Sequence, residues 1–98
     1  MAGGGYAKTW RHYVNAANFA DAGSYESSIL TDLENMQHQI DLDQPMRQAV
    51  DCASRAVLRY LSSFGPFKRD GDETRKDEAL KAIDDMEASL VGATGRYD

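Results

Sequence analysis

Met46, Ala49, Val50, Ala53, Val57, Tyr60, Leu61 and Phe64 recur at intervals of three and four residues, and the pattern stops at Gly65-Pro66. That period belongs to an α-helix with one buried face. The small alanines within it allow a neighbouring helix to come close. Gly65 can adopt the left-handed conformation that closes a helix, and Pro66 cannot continue one. Phe67 to Glu73 forms a charged connection. Thr74 with Asp77 then resembles a capping box, with Asp replacing the usual Glu. Leu80, Ile83, Glu87, Leu90 and Val91 trace the next apolar face, with Ala79 and Met86 beside it and Glu87 at its edge. Gly92 is expected to end this helix, leaving 93–98 as a frayed tail. Two amphipathic helices with a sharp stop between them make a helical hairpin.

The front half carries two weaker patterns. Tyr6, Trp10, Tyr13, Val14 and Ala17 have helical spacing, which predicts a helix from about Ala7 to Phe19 behind a flexible lead at 1–5. Asp21-Ala22-Gly23-Ser24 breaks it. Ser24 is the expected N-cap of a second helix, with Tyr25, Ile29, Leu33, Met36 and Ile40 on its apolar face and Glu26 in its first turn. That helix is expected to end near Gln39 or Ile40. Asp41 to Pro45 reads as a turn, with Asp43 as cap and Pro45 in the first turn of the third helix. Short connections favour antiparallel neighbours. The expected fold is therefore all-α, a single domain over 1–98, built as an up-down-up-down four-helix bundle. A three-helix bundle with a loose first helix is the structural alternative.

With 98 residues, 42% apolar, the chain can bury one modest core. Its formal net charge of -5 disfavours nucleic acid and anionic lipid as main partners, since both require a basic face. No apolar run approaches the roughly 18 to 20 residues of a membrane span. Cys52 is the single cysteine, so an internal disulfide is excluded. No secretory or transit segment is visible in these residues.

The residue patterns of catalysis are missing. A di-iron bundle needs Glu-x-x-His pairs, and the chain has none. Glu34 and His38 share a helical face, but one on the polar side. His12, beside Trp10 and Tyr13, reads as a surface or boundary histidine. Cys52 lies about 120° from the centre of its apolar stripe and reads as a semi-buried, inert thiol. Asp70-Gly71-Asp72-Glu73 lacks the oxygen spacing of a calcium loop. Phosphate-binding loops, dinucleotide fingerprints and serine elbows do not occur. Asp84 and Asp85 fall on a polar face. The expectation is a non-enzymatic protein with no cofactor.

One local basic cluster stands out against the acidic background: Phe67, Lys68 and Arg69 with Arg75 and Lys76. Aromatic and arginine side chains are enriched at interface hot spots. These five residues are the candidate partner-binding site, a docking patch for an acidic partner. The competing reading tucks Phe67 under the bundle end and leaves the charges to water. Tyr6, Trp10 and Tyr13 form an aromatic face that reads as core.

The stretch Tyr60-Leu61-Ser62-Ser63-Phe64-Gly65-Pro66, the basic Arg75-Lys76 and the run Ala82-Ile83-Asp84-Asp85-Met86-Glu87-Ala88-Ser89-Leu90 resemble the last helical hairpin of the lumenal four-helix photosystem II assembly and repair proteins. A related lumenal extrinsic subunit of diatom photosystem II has the same architecture. Gly23-Ser24-Tyr25 is similar to that family's Gly-x-Tyr opening. The likeness covers about forty residues of the hairpin, with an echo upstream. In the family three helices follow the Gly-x-Tyr element. Here two follow it, and an aromatic-rich helix precedes it. The resemblance implies a non-enzymatic extrinsic subunit or assembly factor in the thylakoid lumen. Its partners would be photosystem II core or antenna subunits, bound through protein contacts and without a transmembrane segment. The targeting segment such a location requires is not visible in this chain. An accessory helical subunit of another large membrane complex and a small metal- or cofactor-binding bundle are the alternatives.

Overall fold

The computed structural model describes the backbone of residues 2–39, 44–64 and 71–95, and the side chains of these residues except 2–4, 37, 39 and 90–95. Four helices account for almost all of them: α1 (Ala2–Ala16), α2 (Ala22–Gln39), α3 (Gln44–Leu61) and α4 (Glu73–Gly95). They form a four-helix bundle measuring 47 × 22 × 19 Å. α4 lies against α3 and α1, and α2 closes the other side against α3 and α1.

The helix starts and stops follow from local hydrogen bonding, and several differ from the sequence expectation. α1 begins at Ala2, so Gly3, Gly4 and Gly5 are helical and not a loose lead. Extending an existing helix adds one bond per residue fixed, whereas starting one is costly. The buried turn around Ala7 and Trp10 supplies the nucleus. The Thr9 hydroxyl also donates to the Gly5 carbonyl at 2.8 Å. α1 ends at Ala16, before Phe19, because Asn18 diverts the chain. Its amide donates to the Asp21 carboxylate at 2.9 Å, and its Oδ1 accepts from the Asp21 N–H at 3.0 Å. A short polar side chain that binds nearby backbone competes with helix in this way. Phe19 is left 50% exposed in the turn. The cap of α2 is accordingly Asp21 and not Ser24: the Asp21 carbonyl accepts from the Tyr25 N–H at 3.0 Å.

α3 keeps the expected stripe. Met46, Val50, Ala53, Val57, Tyr60 and Leu61 are buried, and Ala49 and Phe64 pack partly against them. The helix stops three residues earlier than its apolar pattern. Ser62 N–H still donates to Leu58, but Ser63 and Phe64 donate to Tyr60 and Leu61, a tighter closing turn. The serine hydroxyls donate to the Arg59 and Tyr60 carbonyls. Ser63 Oγ then accepts the Asp72 N–H at 3.0 Å, tying the end of α3 to the start of α4. The expected closure at Gly65-Pro66, the turn at 40–43 and residues 96–98 lie outside the described residues.

The cap of α4 is Asp72 and not Thr74. Its Oδ1 accepts the Arg75 N–H at 3.1 Å, and its carbonyl accepts the Lys76 N–H at 2.9 Å. A cap of this kind contributes about 1 kcal/mol. Gly71, just before it, has φ of 71°. α4 continues through Gly92 to Gly95. Its buried face is Ala79, Ile83 and Met86, with Leu80 and Ala82 at the flank. The apolar face is thus rotated by about one residue from the Leu80-centred expectation. The side chains of Leu90 and Val91 lie outside the described set.

α1 is docked, which rules against the three-helix arrangement. Ala7, Trp10 and Val14 are fully buried. Trp10 Nε1 donates to Asp32 Oδ2 at 3.0 Å, and the Tyr13 and Tyr25 rings stack with centroids 5.0 Å apart. These contacts pair later residues of α1 with earlier residues of α2, so the two helices run antiparallel.

Candidate docking surface

The two strands of the expected basic cluster part company in what can be described. Phe67, Lys68 and Arg69 lie outside the described residues. Arg75 and Lys76 occupy the first turns of α4, both half-buried. The cap by Asp72 fixes the backbone from which they project.

Sequence reading left Arg59 out of this cluster. It is exposed in the last turn of α3, where a cation complements the helix dipole. Arg75 Nη1 makes a long hydrogen bond, 3.4 Å, to the Arg59 carbonyl, so the Arg75 guanidinium reaches the last turn of α3. The signal was present in the sequence. A hairpin that turns near Gly65 brings position 59 beside position 75. Among the described residues no carboxylate lies within ion-pair distance of Arg59, Arg75 or Lys76.

Arg55 and Arg11 behave differently. Arg55 pairs with Asp51 one turn away at 3.1 Å. Arg11 on α1 reaches α4, where its Nη2 lies 2.6 Å from Asp84 Oδ1 and 2.7 Å from Glu87 Oε1. Its Nη1 donates to Glu87 Oε2 at 3.0 Å and its Nε to Asp84 Oδ1 at 3.1 Å. This forked geometry is the strong form of a carboxylate contact. Glu87, the polar residue at the edge of the α4 stripe, is therefore one half of a latch between the first and last helices. Asp84, assigned to a polar face, is the other.

The hydrogen bonds from Arg11 hold the Glu87 carboxyl below its ordinary value of 4.5, with burial opposing. The same bonds hold the Arg11 guanidinium more firmly protonated. Burial pushes the Tyr60 phenol up. The sign for Glu87 follows from linkage. A depressed folded-state pKa adds stability above the unfolded value, and that stability is lost as pH falls through the folded value. We expect Glu87→Gln to flatten the acid limb of the stability curve. Urea midpoints measured between about pH 6 and about pH 2 check this. A variant whose acid limb parallels the native one would show that the latch is silent.

Cys52 is exposed, not semi-buried, because its angular offset from the stripe carries it clear of the helices packed on α3. His12, Glu34 and His38 are also exposed. Among the described residues no three His, Cys, Asp or Glu side chains gather closely enough to hold a metal ion. No described helix is long and apolar enough to cross a membrane. The fold defines an all-α four-helix bundle. Set against known protein families, curated proteins and solved structures, the chain matches none.

Proposed function

We propose that the protein is a non-enzymatic docking subunit or assembly factor that binds a larger complex through the end of its α3–α4 hairpin. The observation that carries this is the gathering of Arg59, Arg75 and Lys76 at that end without a carboxylate partner among the described residues. Phe67, Lys68 and Arg69 adjoin them in sequence and extend the proposed surface. The resemblance of this same hairpin to lumenal photosystem II assembly proteins supports the finer reading. In that reading the complex is photosystem II, the compartment is the thylakoid lumen, and the contacts are with core or antenna subunits.

Binding of this kind acts by surface complementarity. An aromatic anchor and arginine forks supply most of the energy, and a polar rim excludes water around them. The test is affinity capture of the tagged protein from gently solubilised native membranes, with mass spectrometry of the co-purifying chains. Enrichment of photosystem II core proteins is the expected result. Enrichment of a different assembly would overturn the photosystem assignment and leave an accessory subunit. Recovery of the bait alone would remove the docking reading.

A further inference from the structure

The four helices are not equally held. α4 has broad seams with α3 and with α1. α2 has thinner seams with α3 and α1, and among the described residues it does not pack on α4. Its buried side chains are Ala22, Ile29 and Met36, against the longer row from Met46 to Leu61 on α3. Leu30 turns to solvent, 57% exposed. α2 meets α1 through the Trp10–Asp32 hydrogen bond and the Tyr13–Tyr25 stack, and both Asp32 and Tyr25 are half-exposed. α2 is also a weak helix in its own right. Gly23, Ser24, Ser27, Ser28, Thr31 and Asn35 are poor helix formers. The Ser28 and Thr31 hydroxyls donate to the Ser24 and Ser27 carbonyls, each at 3.1 Å, in competition with the helix ladder. Such a helix takes its stability from packing, and here the packing is thin.

We propose that α2 is a detachable strap, which undocks and unfolds as a unit while α1, α3 and α4 stay packed as a three-helix core. This goes beyond the docking reading and does not rest on it. Elements with few buried contacts open at a lower free energy than the core around them. What stays behind keeps its own ties. Arg11 still joins α1 to Asp84 and Glu87 on α4, and Ser63 still joins the end of α3 to Asp72 at the start of α4. Undocking frees the Trp10 indole N–H from Asp32 and the Tyr13 ring from Tyr25, so the change is concentrated on the inner face of α1.

Amide hydrogen exchange of the native full chain, read residue by residue by NMR, is the test, because it reports rare openings at equilibrium. We expect the amides of residues 28–35, in the middle of α2, to exchange at least about tenfold faster than those of residues 50–57 in α3, once intrinsic rates are divided out. The amides of residues 10–14 in α1 and 79–86 in α4 should follow α3. Ile83→Val then separates opening of the strap from unfolding of the whole chain. Ile83 is fully buried on α4, the helix that α2 does not touch among the described residues. Losing its methyl group destabilises the core whether or not α2 is docked. Exchange in α3 should therefore accelerate about two- to tenfold, and exchange in the middle of α2 should not change. The inference is overturned if the middle of α2 is as protected as α3, or if α1 exchanges together with α2. It is also overturned if Ile83→Val accelerates α2 and α3 alike, which would mean that all four helices open at once. Protection that falls only from the ends of α2 inward would mark fraying and likewise overturn it.

Discussion

Trp10→Ala is expected to destabilise the protein by about 3–5 kcal/mol, the range for deleting a large buried aromatic side chain. Trp10 is fully buried, and around it lie the core residues that join α1 to the rest of the bundle. Its indole N–H is satisfied by Asp32 at 3.0 Å, so the native site leaves no polar group unpaired. Alanine would empty the pocket and remove that bond together. Total stability of a domain this size is about 5–15 kcal/mol, so the loss is a large share of the whole. Urea unfolding followed by far-ultraviolet circular dichroism measures it, since the variant has no tryptophan to report. Trp10→Phe separates the two contributions. It keeps most of the apolar volume, and Asp32 is half-exposed and can turn to water. A loss of about 1 kcal/mol is expected there. If Trp10→Ala lost under about 1 kcal/mol, α1 would not be an integral part of the core.

Gly71→Ala is the second large effect, and it acts through the backbone and the core at once. Gly71 has φ of 71°, in the left-handed region. An L-side chain there costs about 1–2 kcal/mol. A Cβ at this position would also stand 2.9 Å from ring atoms of both Phe64 and Tyr60. Those rings pack edge to face with centroids 5.3 Å apart, and Tyr60 is buried, so neither can move without disturbing the end of α3. Overpacking of this sort adds about 1–3 kcal/mol. The sum of about 2–5 kcal/mol should appear in thermal or urea unfolding. A double-mutant cycle with Phe64→Ala isolates the Phe64 share, because deleting that ring relieves its part of the clash and leaves the Tyr60 contact and the backbone strain. Additive losses in that cycle would mean the Phe64 ring plays no part. A change within about 0.5 kcal/mol for Gly71→Ala would mean the turn tolerates a side chain.

What the sequence made legible was periodicity. α3 could be read in detail because one face of it is packed by its neighbours over its whole length, and the apolar residues mark that face. The aromatic positions of α1 were read as core for the same reason, and Trp10 bears this out. Helix ends were harder, since they turn on competition between a few polar side chains. Ser24 and Thr74 are good caps in isolation. Asp21 and Asp72 prevail because Asn18 grips the first from behind and Ser63 receives the backbone N–H of the second. The phase of α4 was misjudged by about one residue because Leu80 is a stronger hydrophobe than Ala79. The bundle buries Ala79 fully and leaves Leu80 at the flank. Arg59 joined the candidate surface only through the hairpin's geometry, which brings together residues separated by 16 positions.

The Arg11 latch spans most of the chain, with Asp84 73 positions and Glu87 76 positions further along. Closing a loop of that length costs about 4 kcal/mol in chain entropy alone. Exposed ion pairs as a class contribute only a small fraction of that. The latch therefore cannot recruit α1 to α4. Burial of Trp10 and Val14 brings the chain ends together, and the forked arginine then selects one sliding register of the first helix along the last. The apolar residues decide whether the ring of helices closes, and the charges decide at which notch.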